Sequence, residues 1–206
     1  AGDIHIHDLD YYPTKTATCV QYDLEDLFER GFHTKNGSIR TPQSIQSYAT
    51  LATIVFQTNQ NEQHGGQAIP AFDFFMAPGV RKSFIRHLSD RLLYALALLR
   101  EESFDTQQRQ AFTEDLRALN PKLSASEEAI QTLADQLRSI HKELPDRVVR
   151  LALEEAYRRT ERDTHQAMEG FIHNLNTMHS RGGNQVVFSS VNYGTDTSEE
   201  GRMVIR

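Results

Sequence analysis

A lone cysteine, Cys19, lies in the run TATCV, in which β-branched residues predict a short strand. Its side chain has two interpretations, a small buried apolar residue or a nucleophilic or redox thiol. The second interpretation requires a partner, such as a basic group, another thiol or a radical, and the 206-residue chain contains no second cysteine. An internal disulfide is therefore excluded, which fits a reducing compartment and predicts a cytoplasmic protein.

Two histidines near the amino terminus have a spacing that could bind a metal. His5 and His7 alternate with Ile4 and Ile6, and the period of two in a strand places both imidazoles on one face. Some metal-dependent hydrolases use an H-x-H pair in this way, but they need further His and Asp ligands on later strands. The alternative interpretation is a pair of structural or substrate-contacting histidines.

Two glycine pairs could form phosphate-binding loops. Backbone amides at Gly65-Gly66 and at Gly182-Gly183 could approach an anion closely, because glycine has no side chain in the way. Neither pair fits the P-loop pattern or the G-x-G-x-x-G fingerprint of dinucleotide-binding proteins. A turn is the simpler interpretation of each pair taken alone.

The composition is that of an acidic globular protein. Hydrophobic residues make up 38% of the chain and charged residues 24%. The net charge of −6 includes no basic block that could neutralise a run of phosphates, so we do not expect a nucleic-acid partner. The longest apolar run, LLYALALL at 92–99, is far shorter than the roughly 20 residues that span a bilayer. No membrane partner is therefore predicted.

The two ends of the sequence suggest that it is a piece of a longer chain. The start, AGDIHIHDL, has no initiating methionine and neither the basic nor the apolar region of a signal peptide. The last residues, GRMVIR, lie within what we interpret as an apolar element. We therefore expect additional residues on both sides in the natural protein.

Apolar periodicity predicts a mostly helical chain with a few strands. A short helix is expected between the cap Asp23, which should accept a bond from the Asp26 amide, and Gly31. A second helix is predicted from Pro42 to about Gln57, and a polar loop is expected at 59–67. A third helix, from about Val80 to Glu102, should bury Leu92, Leu93, Leu96 and Leu99. A further helix is predicted from Asp146 to about His179.

The remaining segments predict a helical hairpin and an incomplete sheet. Residues 103–145 are polar and read as two helices, the second opened by a capping box from Ser124 to Glu127. The run QVVFSSVN at 185–192 predicts a strand packed on both sides. The predicted strands are too far apart in sequence to pair as hairpins. We expect them to belong to a sheet that this chain does not complete.

Several segments together, in order and spacing, resemble the anaerobic (class III) ribonucleoside-triphosphate reductases. They are GDIHIHDLDYY, TCVQYDLEDLFERGF, TPQSIQSYATLATIVFQ, QNEQHGGQAIPAFDFFMAPGVRKSF and NLNTMHSRGGNQVVFSSVNYGTDTSEEGR. The resemblance implies a predominantly helical α/β fold that forms the first portion of a ten-stranded α/β barrel. It also implies that residues 1–206 are a partial catalytic domain, within which 103–145 is a variable helical hairpin.

The resemblance gives Cys19 a role. Members of this family are glycyl-radical enzymes that reduce ribonucleoside triphosphates to deoxyribonucleotides. A finger-loop cysteine removes the ribose 3′-hydrogen, and a second cysteine on the first barrel strand delivers hydrogen or a proton as the 2′-hydroxyl leaves as water. Cys19 matches the second cysteine, and we expect it on a buried, rigid strand. Segments that line the substrate cavity imply further contacts from His5, His7, Thr18, Gly65 and Gly66.

The resemblance also implies an effector site and several partners. The helices from Pro42 and from Val80 resemble the pair that forms the dimer and the deoxyribonucleotide effector site, with candidate contacts Gln43, Ser44, Ser47, Arg81, Lys82 and Arg86. A solvated basic face is the alternative for the three cations. Family members further imply a homodimer, a radical-SAM activating enzyme, a structural zinc, and formate or a dithiol protein as reductant. No cofactor or metal site is expected within these 206 residues.

Because the finger-loop cysteine, the zinc cysteines and the glycyl-radical motif are not in this sequence, we expect the isolated chain to be inactive. Two alternative functions remain at this point. One is an independent helical module that dimerises or binds a nucleotide, and the other is a metal-dependent hydrolase that uses His5 and His7.

Overall fold

The described part of the protein is a small parallel sheet packed against a larger group of helices. A computed structural model describes residues 4–6, 9, 13, 19–34, 37–60, 65–177 and 188–206. The strands within these ranges are β1 Val20–Gln21, β2 Phe32–Thr34, β3 Gly37–Ile39, β4 Gln67–Ile69 and β5 Ser189–Val191. The helices are α1 Leu24–Arg30, α2 Ile45–Gln60, α3 Phe72–Arg100, α4 Thr106–Leu119, α5 Glu127–Ile140, α6 Asp146–Thr177 and α7 Glu199–Val204.

Three strands that are distant in sequence form one parallel sheet in the order β1-β4-β5. Val20 pairs with Gln67, and Gln67 pairs with Ser189. Parallel strands need long crossover connections, which explains why no local turn signal marks this sheet. A predominantly helical α/β fold with a small sheet is confirmed. Two strands that we did not predict, β2 and β3, form a separate antiparallel hairpin.

The core lies between α2, α3 and α6, whose apolar stripes face one another. Phe56, Phe84 and Leu92 are almost fully buried in it. The ring of Phe171 on α6 lies 4.8 Å from that of Phe72 and 6.4 Å from that of Phe56. The helical stripes predicted from sequence on α2 and on the centre of α3 therefore do form the core. Leu99 is the exception, because it is 50% exposed at the end of α3.

The bounds of two helices differ from those predicted. Helix α2 begins at Ile45 rather than Pro42, because Ser44 caps it. The Ser44 side chain accepts a bond from the Ser47 amide at 3.3 Å, and the Ser47 hydroxyl accepts one in return from the Ser44 amide at 3.0 Å. Helix α3 begins at Phe72, eight residues before the predicted start, and continues through Pro78. Proline removes one backbone donor, and burial of the apolar residues on the first two turns of α3 offsets that loss.

One of the two predicted helix caps is confirmed, and the other prediction is wrong. Asp23 caps α1, although its carboxylate accepts from the Glu25 amide at 3.1 Å instead of from Asp26. The box predicted at Ser124 is wrong, because Ser126 is the residue that caps α5. The Ser124 hydroxyl instead accepts a bond from the Ser126 amide.

Residues 103–145 do contain two helices, α4 and α5, as predicted. Helix α4 packs mainly on α3, and α5 packs mainly on α6. The reciprocal capping box of this region is at Asp105 and Gln108, at the start of α4. The division of the chain into domains, including the variable character of this segment, stays a prediction. The long helix predicted from Asp146 is confirmed as α6, which ends at Thr177.

The predicted amino-terminal strand is not present at residues 4–6. Ile4 and Ile6 are 84% and 55% exposed and lie outside any strand, since no neighbouring strand in the described residues pairs with them. The strand predicted at 185–192 is represented by β5, but only one of its faces is covered. His7 and Thr18 lie outside the described residues.

A buried carboxylate attaches the carboxyl-terminal segment to the start of α3. Asp73 is fully buried and accepts hydrogen bonds from the Gly194 amide at 2.8 Å and the Asp196 amide at 3.0 Å. The Thr195 hydroxyl also donates to it, at 3.3 Å. Burial raises the pKa of this carboxyl, but the hydrogen bonds donated to it lower the pKa by more, so the net shift is downward. The arrangement fixes the loop between β5 and α7.

Candidate functional site

The parallel sheet has one covered face and one open face. Val20, Gln67, Ile69 and Val191 point towards the helices and are buried or half-buried, whereas alternate residues point away from them. We call this second side the open face. It carries Cys19, Gln21, Gly66, Ala68, Phe188 and Ser190, of which the first two and last two are exposed. No helix among the described residues covers it.

The structure brings Cys19 and the Gly65-Gly66 pair together. The Val20 amide donates to the Gly66 carbonyl at 3.1 Å, and the Tyr22 amide donates to the Ala68 carbonyl at 3.0 Å. Cys19, which directly precedes β1, therefore lies beside Gly66 at the end where all three strands begin. Gly65 has a φ of 104°, in the region that favours glycine, so the turn into β4 requires it.

Cys19 is exposed, not buried as expected from sequence. The reason is that the described chain provides only one layer of helices, and this layer packs on the opposite face of the sheet. The residue is held by the neighbouring β1–β4 hydrogen bonds rather than by a closed cavity. Its catalytic role stays a prediction, as do the substrate contacts of His5, His7, Thr18, Gly65 and Gly66.

The covered face below Cys19 holds a polar pair that sequence reasoning missed. The Tyr22 hydroxyl donates to Gln67 Oε1 at 2.5 Å, and Gln67 is 2% exposed. Burial raises the pKa of the Tyr22 hydroxyl above its usual range, while a side-chain hydrogen bond with Asn59 opposes the change. Tyr22 therefore remains protonated, and its edge-to-face contact with Phe56 at 5.6 Å fixes β1 on α2.

A groove of about 1090 Å³ lies between α1, the first half of α3, residues 120–126 and the start of α7. Two of the predicted effector contacts, Arg81 and Lys82, line it together with Lys122. Five carboxylates also line it, so the cations do not make it an electropositive site. These carboxylates belong to Glu25, Glu29, Asp196, Glu199 and Glu200.

Both predicted cations in the groove already have partners. Arg81 donates to the Pro121 carbonyl at 2.5 Å and to the Asn120 side chain, and it pairs with Glu200 at 3.5 Å. Burial lowers the pKa of the Arg81 guanidinium, and Glu200 opposes that change. Lys82 donates to the Pro42 carbonyl at 2.9 Å and to the Tyr48 hydroxyl at 3.0 Å.

The other predicted effector contacts divide into capping residues and exposed residues. Ser44 and Ser47 are half-buried at the start of α2, where Ser44 is the cap and the Ser47 hydroxyl donates to the Ser44 carbonyl at 2.8 Å. Gln43 and Arg86 are exposed. The structure thus brings Lys82 close to the start of α2, as the effector hypothesis requires, but the role of all six residues stays a prediction.

No group of three or more His, Cys, Asp and Glu side chains in the described ranges is arranged to hold a metal ion. His5 is exposed, and His7, the other member of the H-x-H pair, lies outside the described residues. Within the same ranges, no helix combines the length and the apolar character needed to cross a bilayer.

Comparison with known proteins decides the family. The family model described as "Anaerobic ribonucleoside-triphosphate reductase" matches residues 1–206. The chain belongs to the anaerobic ribonucleoside-triphosphate reductase family. A relative with that name from Enterobacteria phage T4 is 25% identical over 206 residues, which cover 99% of this chain and 25% of the relative. The chain therefore spans a quarter of the length of this relative.

Bacterial relatives of the same name match shorter parts of the chain. The protein from Haemophilus influenzae is 34% identical over 116 residues, or 52% of this chain and 16% of the relative. The protein from Salmonella typhimurium is 30% identical over a segment of the same length and the same coverage. Family membership favours a reductase over the helical module and the metal hydrolase that the sequence left open.

Proposed function

We propose that this chain is part of the catalytic chain of an anaerobic ribonucleotide reductase and that Cys19 is one of its reacting thiols. In this reaction a ribonucleoside triphosphate loses its 2′-hydroxyl as water. The two electrons come from formate, which is oxidised to carbon dioxide, or from a dithiol protein, which becomes a disulfide. The chain would act with parts of the reductase that lie outside these 206 residues, and alone it would be inactive.

The observation that supports this role is the position of Cys19 beside Gly66 on the open face. A thiol that reacts with a substrate radical needs a rigid support, so that hydrogen transfer to the wrong atom is avoided. The β1–β4 hydrogen bonds supply that support within the plane of the sheet. The open face, on which the thiol lies, can receive a substrate.

A radical reaction also needs protection from water, and Cys19 is exposed in this chain. We propose that the remaining strands of a ten-stranded barrel close over the open face in the longer reductase. The phage relative has three further quarters of its length beyond the region that matches. The finger-loop cysteine, the glycyl radical and a structural zinc would all belong to such additional regions.

The decisive experiment is the substitution Cys19→Ser in the full-length reductase. We expect deoxyribonucleotide formation to fall to background, since an O–H bond is too strong to replace the S–H bond in hydrogen transfer. The glycyl radical, followed by electron paramagnetic resonance after activation by the radical-SAM enzyme, should form as in the wild type. Normal turnover by this variant would refute the proposal.

We also propose that α2 and α3 contribute to a homodimer and to a deoxyribonucleotide effector site. The support is the proximity of Lys82 to the start of α2 and the exposure of Arg86 and Gln43. Equilibrium binding of dATP, dGTP and dTTP to the full-length protein tests it. If Arg86→Ala and Gln43→Ala leave all three affinities unchanged, these two residues are not effector contacts.

A further inference from the structure

We propose that Tyr22 and Gln67 are positioning residues for Cys19, because the hydrogen bond between their side chains fixes β1 against β4 on the covered face of the sheet. Both side chains point away from the open face, so neither touches the substrate. The inference rests on the proposed function, in which Cys19 is a reacting thiol. It assigns a task to the polar pair that sequence reasoning missed.

The position of the Cys19 thiol depends on how β1 sits against β4. Strand β1 has only two residues, Val20 and Gln21, and it lies at the edge of the described sheet. Cys19 directly precedes it and is exposed. A displacement of about 1 Å can slow the reaction of a catalytic group by about 100-fold. A reacting thiol at this place therefore needs an attachment that stops β1 from sliding.

The side chain of Tyr22 reaches back along β4 towards the end of β1 where Cys19 lies. Val20 pairs with Gln67 in the parallel register. Tyr22 is two residues farther along the chain, yet its hydroxyl donates to Gln67 Oε1 at 2.5 Å. The Tyr22 backbone amide donates to the Ala68 carbonyl at 3.0 Å. These two bonds attach one residue to successive residues of β4, which opposes both sliding and twisting of β1.

Gln67 connects β1 to both other strands of the sheet. Its backbone amide donates to the Phe188 carbonyl, directly before β5, at 2.9 Å. Its side chain accepts the bond from Tyr22 on the other side, and the residue is only 2% exposed. A buried polar group that loses its partner is costly, so the two side chains are held in this pairing. Tyr22 is thus fixed to the centre of the sheet.

The apolar core does not require the hydroxyl of Tyr22. The ring contacts Phe56 edge to face at 5.6 Å, and a phenylalanine would make the same contact. Burying a hydroxyl costs free energy that its hydrogen bond only roughly offsets. The hydroxyl adds direction, because a hydrogen bond weakens steeply when its angle changes, whereas apolar surfaces can slide past each other. Direction is the property that positions a thiol.

The first test measures kcat and KM of the full-length reductase with Tyr22→Phe. We expect kcat to fall about tenfold while KM for the ribonucleoside triphosphate stays within about twofold of wild type, since only the reacting geometry changes. The glycyl radical, followed by electron paramagnetic resonance, should form to the wild-type level. The control is Tyr157→Phe on α6, which removes a hydroxyl bonded to Arg206 at 3.4 Å and should change neither constant.

The second test separates positioning from stability. Tyr22→Phe leaves the buried Gln67 oxygen without this donor, so the unfolding temperature should fall. Adding Gln67→Met replaces the second partner with an apolar side chain of similar length and should recover most of that loss. We expect kcat to remain about tenfold low in this double variant and in Gln67→Met alone, because the same bond is missing in all three.

The outcomes distinguish this inference from the proposed function. If Cys19→Ser abolishes turnover but Tyr22→Phe keeps the wild-type kcat, the positioning role is refuted and the function stands. If the double variant recovers kcat together with its unfolding temperature, the pair only stabilises the fold, and the inference is overturned. If Cys19→Ser is active, the proposed function fails and the positioning role fails with it.

Discussion

The groove beside α3 and the open face of the sheet differ in how far their polar groups are already satisfied. In the groove, Arg81 and Lys82 are each bonded to backbone carbonyls and side chains of this same chain. On the open face, Gln21 and Ser190 make no such bonds within the described residues. The cations of the concave, charged groove are therefore part of the scaffold, whereas the open face presents exposed polar side chains among the described residues.

The glycines of the two regions show the same difference. A Cβ at Gly79, behind the groove, would lie 2.8 Å from two ring carbons of Tyr48, so close helix packing excludes a side chain there. A Cβ at Gly66 would contact nothing within 4 Å. The comparison leads to four predictions for the stability of this chain. Substitutions beside the groove should lower the free energy of unfolding more than a substitution on the open face.

The largest effect is expected from Asp73→Asn, which acts on the loop that borders the groove. The Gly194 and Asp196 amides both donate to Oδ2, and the Thr195 hydroxyl donates to Oδ1. An asparagine keeps one oxygen for the two amides, but it removes the charge that strengthens these bonds and places an NH₂ group against Thr195, so we expect a loss of about 2–3 kcal/mol at pH 7. Urea unfolding measures it. Because the folded-state pKa of Asp73 is lowered, its contribution is present above the unfolded value of 3.8 and is lost as pH falls through the folded value.

The pH dependence supplies the control for that variant. Wild type and Asp73→Asn should differ most at pH 7 and converge at pH values below the folded-state pKa. A difference in unfolding free energy that stays constant over the whole range would mean that the charge of Asp73 does not hold the loop.

The next effect is expected from Gly79→Ala, which forces a methyl group against the Tyr48 ring. We expect a loss of about 2 kcal/mol from overpacking, measured by urea unfolding. Gly170→Ala is the matched control, because Gly170 is also helical and a Cβ there would meet nothing within 4 Å. That control should be neutral or slightly stabilising, since alanine favours a helix. Equal results for both glycines would contradict the packing argument.

A smaller effect is expected from Arg81→Ala. Loss of the bonds to Pro121 and Asn120 loosens the turn between α4 and α5 and should cost about 1–2 kcal/mol. Arg86→Ala, which removes an exposed arginine from the same helix, should change stability by less than about 0.5 kcal/mol. An Arg81 variant with normal stability but weakened deoxyribonucleotide binding would favour the effector role over the structural one.

The smallest effect is expected from Gly66→Ala on the open face. The unfolding free energy of this chain should change by no more than about 0.5 kcal/mol, with a small gain if alanine restricts the unfolded state. Differential scanning calorimetry of the 206-residue chain measures it. A marked destabilisation would show that the open face is packed in this chain and would remove the contrast with the groove.

Residue patterns within single helices were sufficient to predict much of the core. The stripe on α2, including Ile45, Tyr48 and Phe56, is buried as expected. Such patterns fix which side of a helix is apolar, because 3.6-residue periodicity is a local property. They did not fix the helix starts, since α2 begins after the Ser44 cap instead of at Pro42, and since burial of apolar residues extends α3 through Pro78.

The sequence by itself determined the family, the helical character of the chain and the identity of the one thiol. Only the tertiary structure decided that Cys19, Gly66 and Phe188 lie side by side, and that Arg81 serves the scaffold. The physical reason is that parallel strands pair across long crossovers, so no local spacing encodes which residues become neighbours. Which face of the sheet the helices cover is likewise settled by packing of the whole chain.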